Sequence, residues 1–239
     1  IVLDKNGNLI SANRIAQDAE PQGTKWYAYL KVHAPSPWYN NQTYLDTLNP
    51  KAVKRFVEVT HDRYKESIGE HFGNVVPAIF TDEPQFMRKG TLAFADSRQN
   101  VHLPWTDDLE DTFKATYGES LVEHLPELLW DLPNGEISLT RYHYHDHISE
   151  RFAKAFADTC GDWCEANGCQ LTGHTIIEES LDGQMLCCGG AMPFYRYEHI
   201  PGIDWLGRSV NKSDILSKQI GSVCAQTGRD KAITETYGC

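Results

Sequence analysis

Three acidic clusters stand where short apolar runs end: Asp82 and Glu83 after VVPAIFT, Glu178 and Glu179 shortly after QLTGH, and Glu235 at the end of AIT. Two carboxylates facing each other are what cleavage of a glycosidic bond requires, one protonating the leaving oxygen while the other attacks or activates water. A single acid at a strand end serves equally as a helix cap, a loop-lining charge or a ligand for a structural ion. The pairing therefore carries the reading, with Glu83 and Glu235 as its two members. Asp82, Glu178 and His174 of TGH are placed to orient substrate or tune the acids, and a histidine there serves equally well as a satisfied structural group. Trp38, Tyr39, Trp105, Trp205 and Tyr237 fall at loops or strand ends, where an aromatic face suits the C–H face of a sugar as well as it suits a core.

Other chemistries find less support. The run YHYHDH puts His143 and His147 one helical turn apart, a spacing compatible with a metal. It lacks the H-E-x-x-H pattern, and a solvated helix face is the reading we prefer. The chain has no G-x-G-x-x-G, no Walker lysine loop and no G-x-S-x-G elbow, which removes the usual supports for dinucleotide, nucleotide and serine-hydrolase activities. A formal charge of −11, with 22 scattered basic residues, argues against nucleic acid, whose phosphates require clustered Lys and Arg. No apolar run is long enough to cross a membrane. The seven cysteines form no paired C-x-x-C knuckles and read as reduced thiols, which leans towards a reducing compartment.

These residues need elements to hold them. IVLDKNGNLIS reads as a hairpin around Asn6-Gly7, and KWYAYLKVH at 25–33 alternates like a strand. From Asn49 the period turns helical, with Pro50 in the first turn and Val53, Phe56, Val57, Tyr64 and Ile68 near one face, to about residue 69. VVPAIF is a candidate buried strand whose first half is weakened by Pro77. Thr106 is expected to cap a helix through Tyr117, a shorter helix is expected over 119–129, and a long one from Leu139 to Asn167 carries Tyr142, Ile148, Phe152, Phe156 and Trp163 on its apolar face, with Gly168 as its stop. Short strands CQLTGH, GIDWLG and KAITET follow, the last two separated by a helix over 213–226, and 182–200 is expected to be a long loop.

Strands alternating with helices imply a parallel sheet. About four such strands, against the roughly 250 residues of a whole (β/α) barrel, indicate an α/β fold made of part of a (β/α)8 TIM-type barrel after a short β-rich segment. Residues 1–36 then form the end of a β-rich accessory region or linker, and 37–239 an incomplete barrel. The chain lacks an initiating Met and reads as a mature or excised piece of a parent whose own start, a signal peptide included, lies elsewhere.

FGNVVPAIFTDEPQF, LPWTDDLEDTFKATYG with LPELLWD, WCEANGCQLTGHTIIEE and IPGIDWL, in this order over roughly 37–239, resemble glycoside hydrolase family 106 and its relatives, the α-L-rhamnosidase-like barrel enzymes. The resemblance implies a catalytic barrel that hydrolyses an α-linked deoxysugar with inversion, with calcium assisting substrate binding through ligands that cannot be carried over residue by residue. Glu83 of TDEP matches the family's strand-four acid, and Glu235 of TETYG the later strand-end acid expected to act as base. The chain is much shorter than the family and stops four residues after Glu235, so the isolated chain is expected to be inactive. Three alternatives stay open: a retaining barrel glycosidase, a non-catalytic carbohydrate-binding fragment, and a metal-dependent hydrolase using His143 and His147.

Overall fold

A computed structural model describes residues 1–205 and 215–236. Two compact units emerge, one of Ile1–Tyr44 with Lys89–His147, the other of Leu45–Arg88 with Ile148–Cys239.

In the first unit, β1 (Val2–Leu3) and β2 (Leu9–Ser11) pair antiparallel as the Asn-Gly signal predicts. The Asp4 carboxylate accepts from the backbone N–H groups of Asn6 and Asn8 and from the Asn8 amide, fixing the turn. Segment 25–33 is not a strand. It finds no ladder partner among the described residues, and Tyr29, Leu30 and Val32 are largely exposed. The expected alternation is present, but a strand needs a neighbour to take its backbone hydrogen bonds. One further helix of this unit begins later than expected: Asp108, not Thr106, precedes it, and the Thr106 carbonyl accepts from Leu109 N–H. In place of a helix over 119–129 there is a single 3-10 turn, Leu125–Leu128, opened by Pro126.

The second unit holds the sheet. Helix α1 (Pro50–Ile68) starts at Asn49, whose side chain accepts from Lys51 N–H, with Pro50 in the first turn. Val53, Val57 and His61 make its buried face, while Tyr64 is exposed, off the expected stripe. In chain order the other α-helices are α2 (Leu109–Tyr117), α3 (Leu139–Phe152), α4 (Thr159–Ala166), α5 (Leu181–Cys187), α6 (Ala191–Tyr195) and α7 (Ile215–Thr227). The first of these lies in the first unit; α3 begins there and continues in the second. The long helix expected over 139–167 is present, with a π-helical stretch, Ala153–Asp158, joining α3 to α4. Ile148, Phe152 and Phe156 are buried as expected, and Tyr142 faces solvent. Phe152, Phe156 and Phe194 stack on one another, which anchors this helix against α6. The stretch 182–200 is not a loop: α5 and α6 occupy it, too short and too closely broken by Gly189 and Gly190 to show a helical period.

Four parallel strands, β3 (Ala78–Asp82), β4 (Gln170–His174), β5 (Ile200–Trp205) and β6 (Ile233–Thr236), are bonded in sequence order. The first of them begins only after Pro77, the half of VVPAIF that retains its N–H donors. The strands approach closely at two glycines. A Cβ on Gly173, whose φ is +153°, would sit 2.1 Å from the Thr81 carbonyl oxygen, and one on Gly202 would sit 2.1 Å from the Gly173 carbonyl oxygen. Only hydrogen fits at either place.

We expect Gly173→Ala to destabilise the protein by about 1–3 kcal/mol through overpacking. The measurement is the urea midpoint, and an unchanged midpoint would show that the ladder can widen freely.

Candidate active site

Register assembles the site. Asp82 lies opposite His174 across the β3–β4 pair, and Asp204 lies opposite Glu235 across the β5–β6 pair. Directly paired residues point to the same face. These four side chains therefore gather at the carboxyl ends of parallel strands, the end at which open α/β sheets and barrels carry their ligands.

His174 is the hub. It is almost wholly buried, its ring meets Phe80 edge-on at 5.5 Å, and its Nε2–H donates to Glu235 Oε2 at 3.0 Å. Asp82 Oδ1 stands 3.5 Å from the same nitrogen. Burial works against charge on the imidazole, but the hydrogen bond to Glu235 and the fields of Glu178 and Asp204 outweigh it, and the net effect raises its pKa. Ligand atoms of Asp82, His174 and Glu235 lie within 4.8 Å of one another, and so do those of Glu83, His174 and Asp204. Glu83 and Glu235 thus reach a common imidazole.

Glu83 follows the last residue of β3 with φ at +47°, the left-handed region that a side chain rarely takes. Ile177, β-branched and at φ +53°, is a second such residue. Both line a cleft of about 310 Å³ together with Glu178 and Asp204. Backbone strain of this kind persists where the surroundings over-determine the conformation. Here it turns Glu83 off the strand direction and into the cleft. Burial, then the neighbouring Asp82 charge, raise the Glu83 pKa, so that it holds its proton longer than an ordinary glutamate.

Glu178 forms the cleft floor. It is 1% exposed. Its Oε1 accepts from Asp204 N–H at 2.7 Å and its Oε2 from the Thr175 hydroxyl at 3.1 Å. Burial pushes its pKa up to about 7, against the pull of those two donors. Glu179 lines the same cleft but is exposed.

The structure thus brings together Asp82, Glu83, His174, Glu178 and Glu235. Trp205 ends β5 one residue after Asp204, so alternation points it to the opposite face. Trp105 and Trp38 belong to the first unit. Tyr237 lies outside the described residues. Asp204 is the functional residue that sequence reading missed, although the rule that finds acids at strand ends applies to GIDWL as well. His143 and His147 make no solvated face: His143 bonds Glu119 at 2.9 Å and stacks on Tyr117, and His147 bonds the Thr112 hydroxyl at 3.0 Å. Five of the six described cysteines are buried.

Calcium takes six to eight oxygen ligands. Each cluster here supplies two carboxylates and one imidazole nitrogen, and that nitrogen already serves Glu235. Neither cluster by itself supplies such a set.

No family model matches the chain, and no curated protein matches it in sequence. The solved structure of a rhamnosidase from Novosphingobium sp. PP1Y does, with a TM-score of 0.60 and 17% identity. The match covers 82% of this chain and 18% of that one. The likeness is one of fold. The chain accordingly spans less than a fifth of that enzyme's length. None of the described helices is long and apolar enough to cross a membrane.

Because the folded His174 has a raised pKa, the Glu235 pair contributes stability fully below the ordinary histidine value and loses it as pH rises through the folded value. Glu235→Gln should therefore lower the His174 titration midpoint in ring-proton NMR. A midpoint unmoved by the substitution would show that the bond does not hold the charge.

Proposed function

We propose that this chain is the catalytic portion of a glycosidase of the α-L-rhamnosidase-like kind, cleaving a terminal sugar from an oligosaccharide or glycoconjugate with inversion. Its four consecutive parallel strands then form one arc of a (β/α) barrel. The observation that carries this reading is the contrast between two carboxyl groups that reach one imidazole. Glu83 is partly desolvated and its proton affinity is raised, while Glu235 accepts a hydrogen bond from a buried imidazole whose charge is favoured. A raised proton affinity suits Glu83 to the acid's role, and the hydrogen-bonded imidazole beside Glu235 suits it to the other.

Glu83 then donates its proton to the glycosidic oxygen as the bond to the anomeric carbon breaks. Glu235, which accepts the His174 hydrogen bond, takes up a proton from the water that attacks the opposite face of the sugar. Asp82 raises the proton affinity of Glu83 and neighbours His174, and Asp204 does the same from β5. Glu178 supports the charge on His174 and is fixed by Asp204 N–H and Thr175. The likeness in fold to a rhamnosidase supports the choice of sugar, and the open cleft suits a substrate that enters by one end.

Aryl α-L-rhamnoside hydrolysis tests this directly. Glu83→Gln and Glu235→Gln should each lower turnover by about 10²–10⁴-fold, with Glu83→Gln sparing substrates whose leaving group needs no proton. The first-formed sugar should carry the inverted anomeric configuration by NMR. Near-normal turnover in either variant removes that residue's role, a retained configuration makes Glu235 a nucleophile, and sugar binding without turnover, indifferent to Glu83→Gln, selects a binding module.

A further inference from the structure

Between α6 and β5 lies a carboxyl group that the mechanism above does not use. Glu198 is fully buried, and neither of its oxygens has a hydrogen-bond partner. The Gly202 N–H turns its positive end towards the group without completing a bond. No salt bridge reaches it among the described residues. The titratable groups that face it are Glu178, from the loop after β4, and Tyr195, on α6; neither offers a positive charge. Tyr195 is itself buried, with its hydroxyl 3.5 Å from that of Thr175, which donates to Glu178.

An ionised carboxylate in that position would lack water, donor and counter-charge together, a combination that costs several kcal/mol and is relieved by taking up a proton. Its nearest charged neighbour would repel it as well. We propose that Glu198 is a neutral carboxylic acid in the folded protein at neutral pH, and that its proton leaves Glu178 free to carry the only negative charge of the pair. Glu198 is in this sense a positioning residue, acting on the cleft through Glu178 without touching substrate. Burial, followed by the field of Glu178, raises its proton affinity in the same direction.

The sign of the stability effect follows. Below the ordinary carboxylate range the folded and unfolded chains both carry the proton. Above it the unfolded chain releases the proton and the folded chain keeps it, so stability falls with rising pH until the folded group ionises. Glutamine mimics the neutral acid and carries no such dependence.

The test is difference infrared spectroscopy in heavy water together with thermal melts from pH 5 to 8, neither of which needs a substrate. It can therefore fail while the glycosidase reading stands, and the reverse. Wild type should show the C=O band of a protonated carboxylic acid at pH 8 that Glu198→Gln lacks. The melting temperature of Glu198→Gln should gain on wild type by about 3 °C or more between the two pH values. Should Glu198→Gln not fold, Glu178→Gln serves: the acid band must persist at pH 7 with Glu178 removed and must vanish at a lower pH than in wild type. A missing band at pH 7 in Glu178→Gln, or equal pH dependence of the melting temperature in wild type and Glu198→Gln, overturns the proposal.

Discussion

Backbone register across four parallel strands is the constraint on which the rest depends. Each strand is bonded only to its neighbours in sequence order, so the position of Glu235 relative to Asp82 is set by three successive pairings. A slip of one residue at any of them would send a carboxylate to the other face. The glycine contacts at Gly173 and Gly202 lie in the middle of this chain of pairings, at the one place where a side chain would force the strands apart. Close backbone approach there and convergence of side chains a residue or two later are two sides of the same geometry.

On that frame the electrostatics are organised around one buried imidazole, whose charge is favoured, rather than around the acids. An uncharged His174 would leave Asp82, Glu83, Asp204 and Glu235 to repel one another across a few ångströms. With the imidazole charged, one carboxylate takes its hydrogen bond and the others see a reduced field. Burial and the Asp82 charge raise the proton affinity of Glu83, and its φ of +47° sets it off the strand. The two acids thus meet different surroundings at one imidazole.

Much of this was legible in the sequence, for identifiable reasons. Apolar runs ending in Asp-Glu, Gly-His and Thr-Glu mark strands and the groups at their ends, since a buried parallel strand is apolar until it leaves the sheet. The hairpin at Asn6-Gly7, the start of α1 at Asn49-Pro50 and the helix stop at Gly168 are all set by local chemistry. Failures occurred where partners decide. KWYAYLKVH has the alternation of a strand, while α5 buries Gly183, Gln184 and Cys187 and α6 buries Ala191, Phe194 and Tyr195 without a legible helical period. Asp204 is hidden because its neighbours Ile203 and Trp205 make the segment look like core, and Glu198 because sequence alone suggests a charged residue at the surface.

The π-helical stretch at Ala153–Asp158 has a meaning for descent. Phe152, Phe156, Cys160 and Cys164 are all buried although they recur every fourth residue. On a regular α-helix a step of four overshoots a full turn by about 40°, so three steps would carry the last of them roughly 120° off the face. A wide turn takes one residue more and absorbs that drift. In an alignment the stretch would therefore behave as a one-residue insertion, and a relative lacking that residue would show a gap within 153–158 beside an unbroken α-helix.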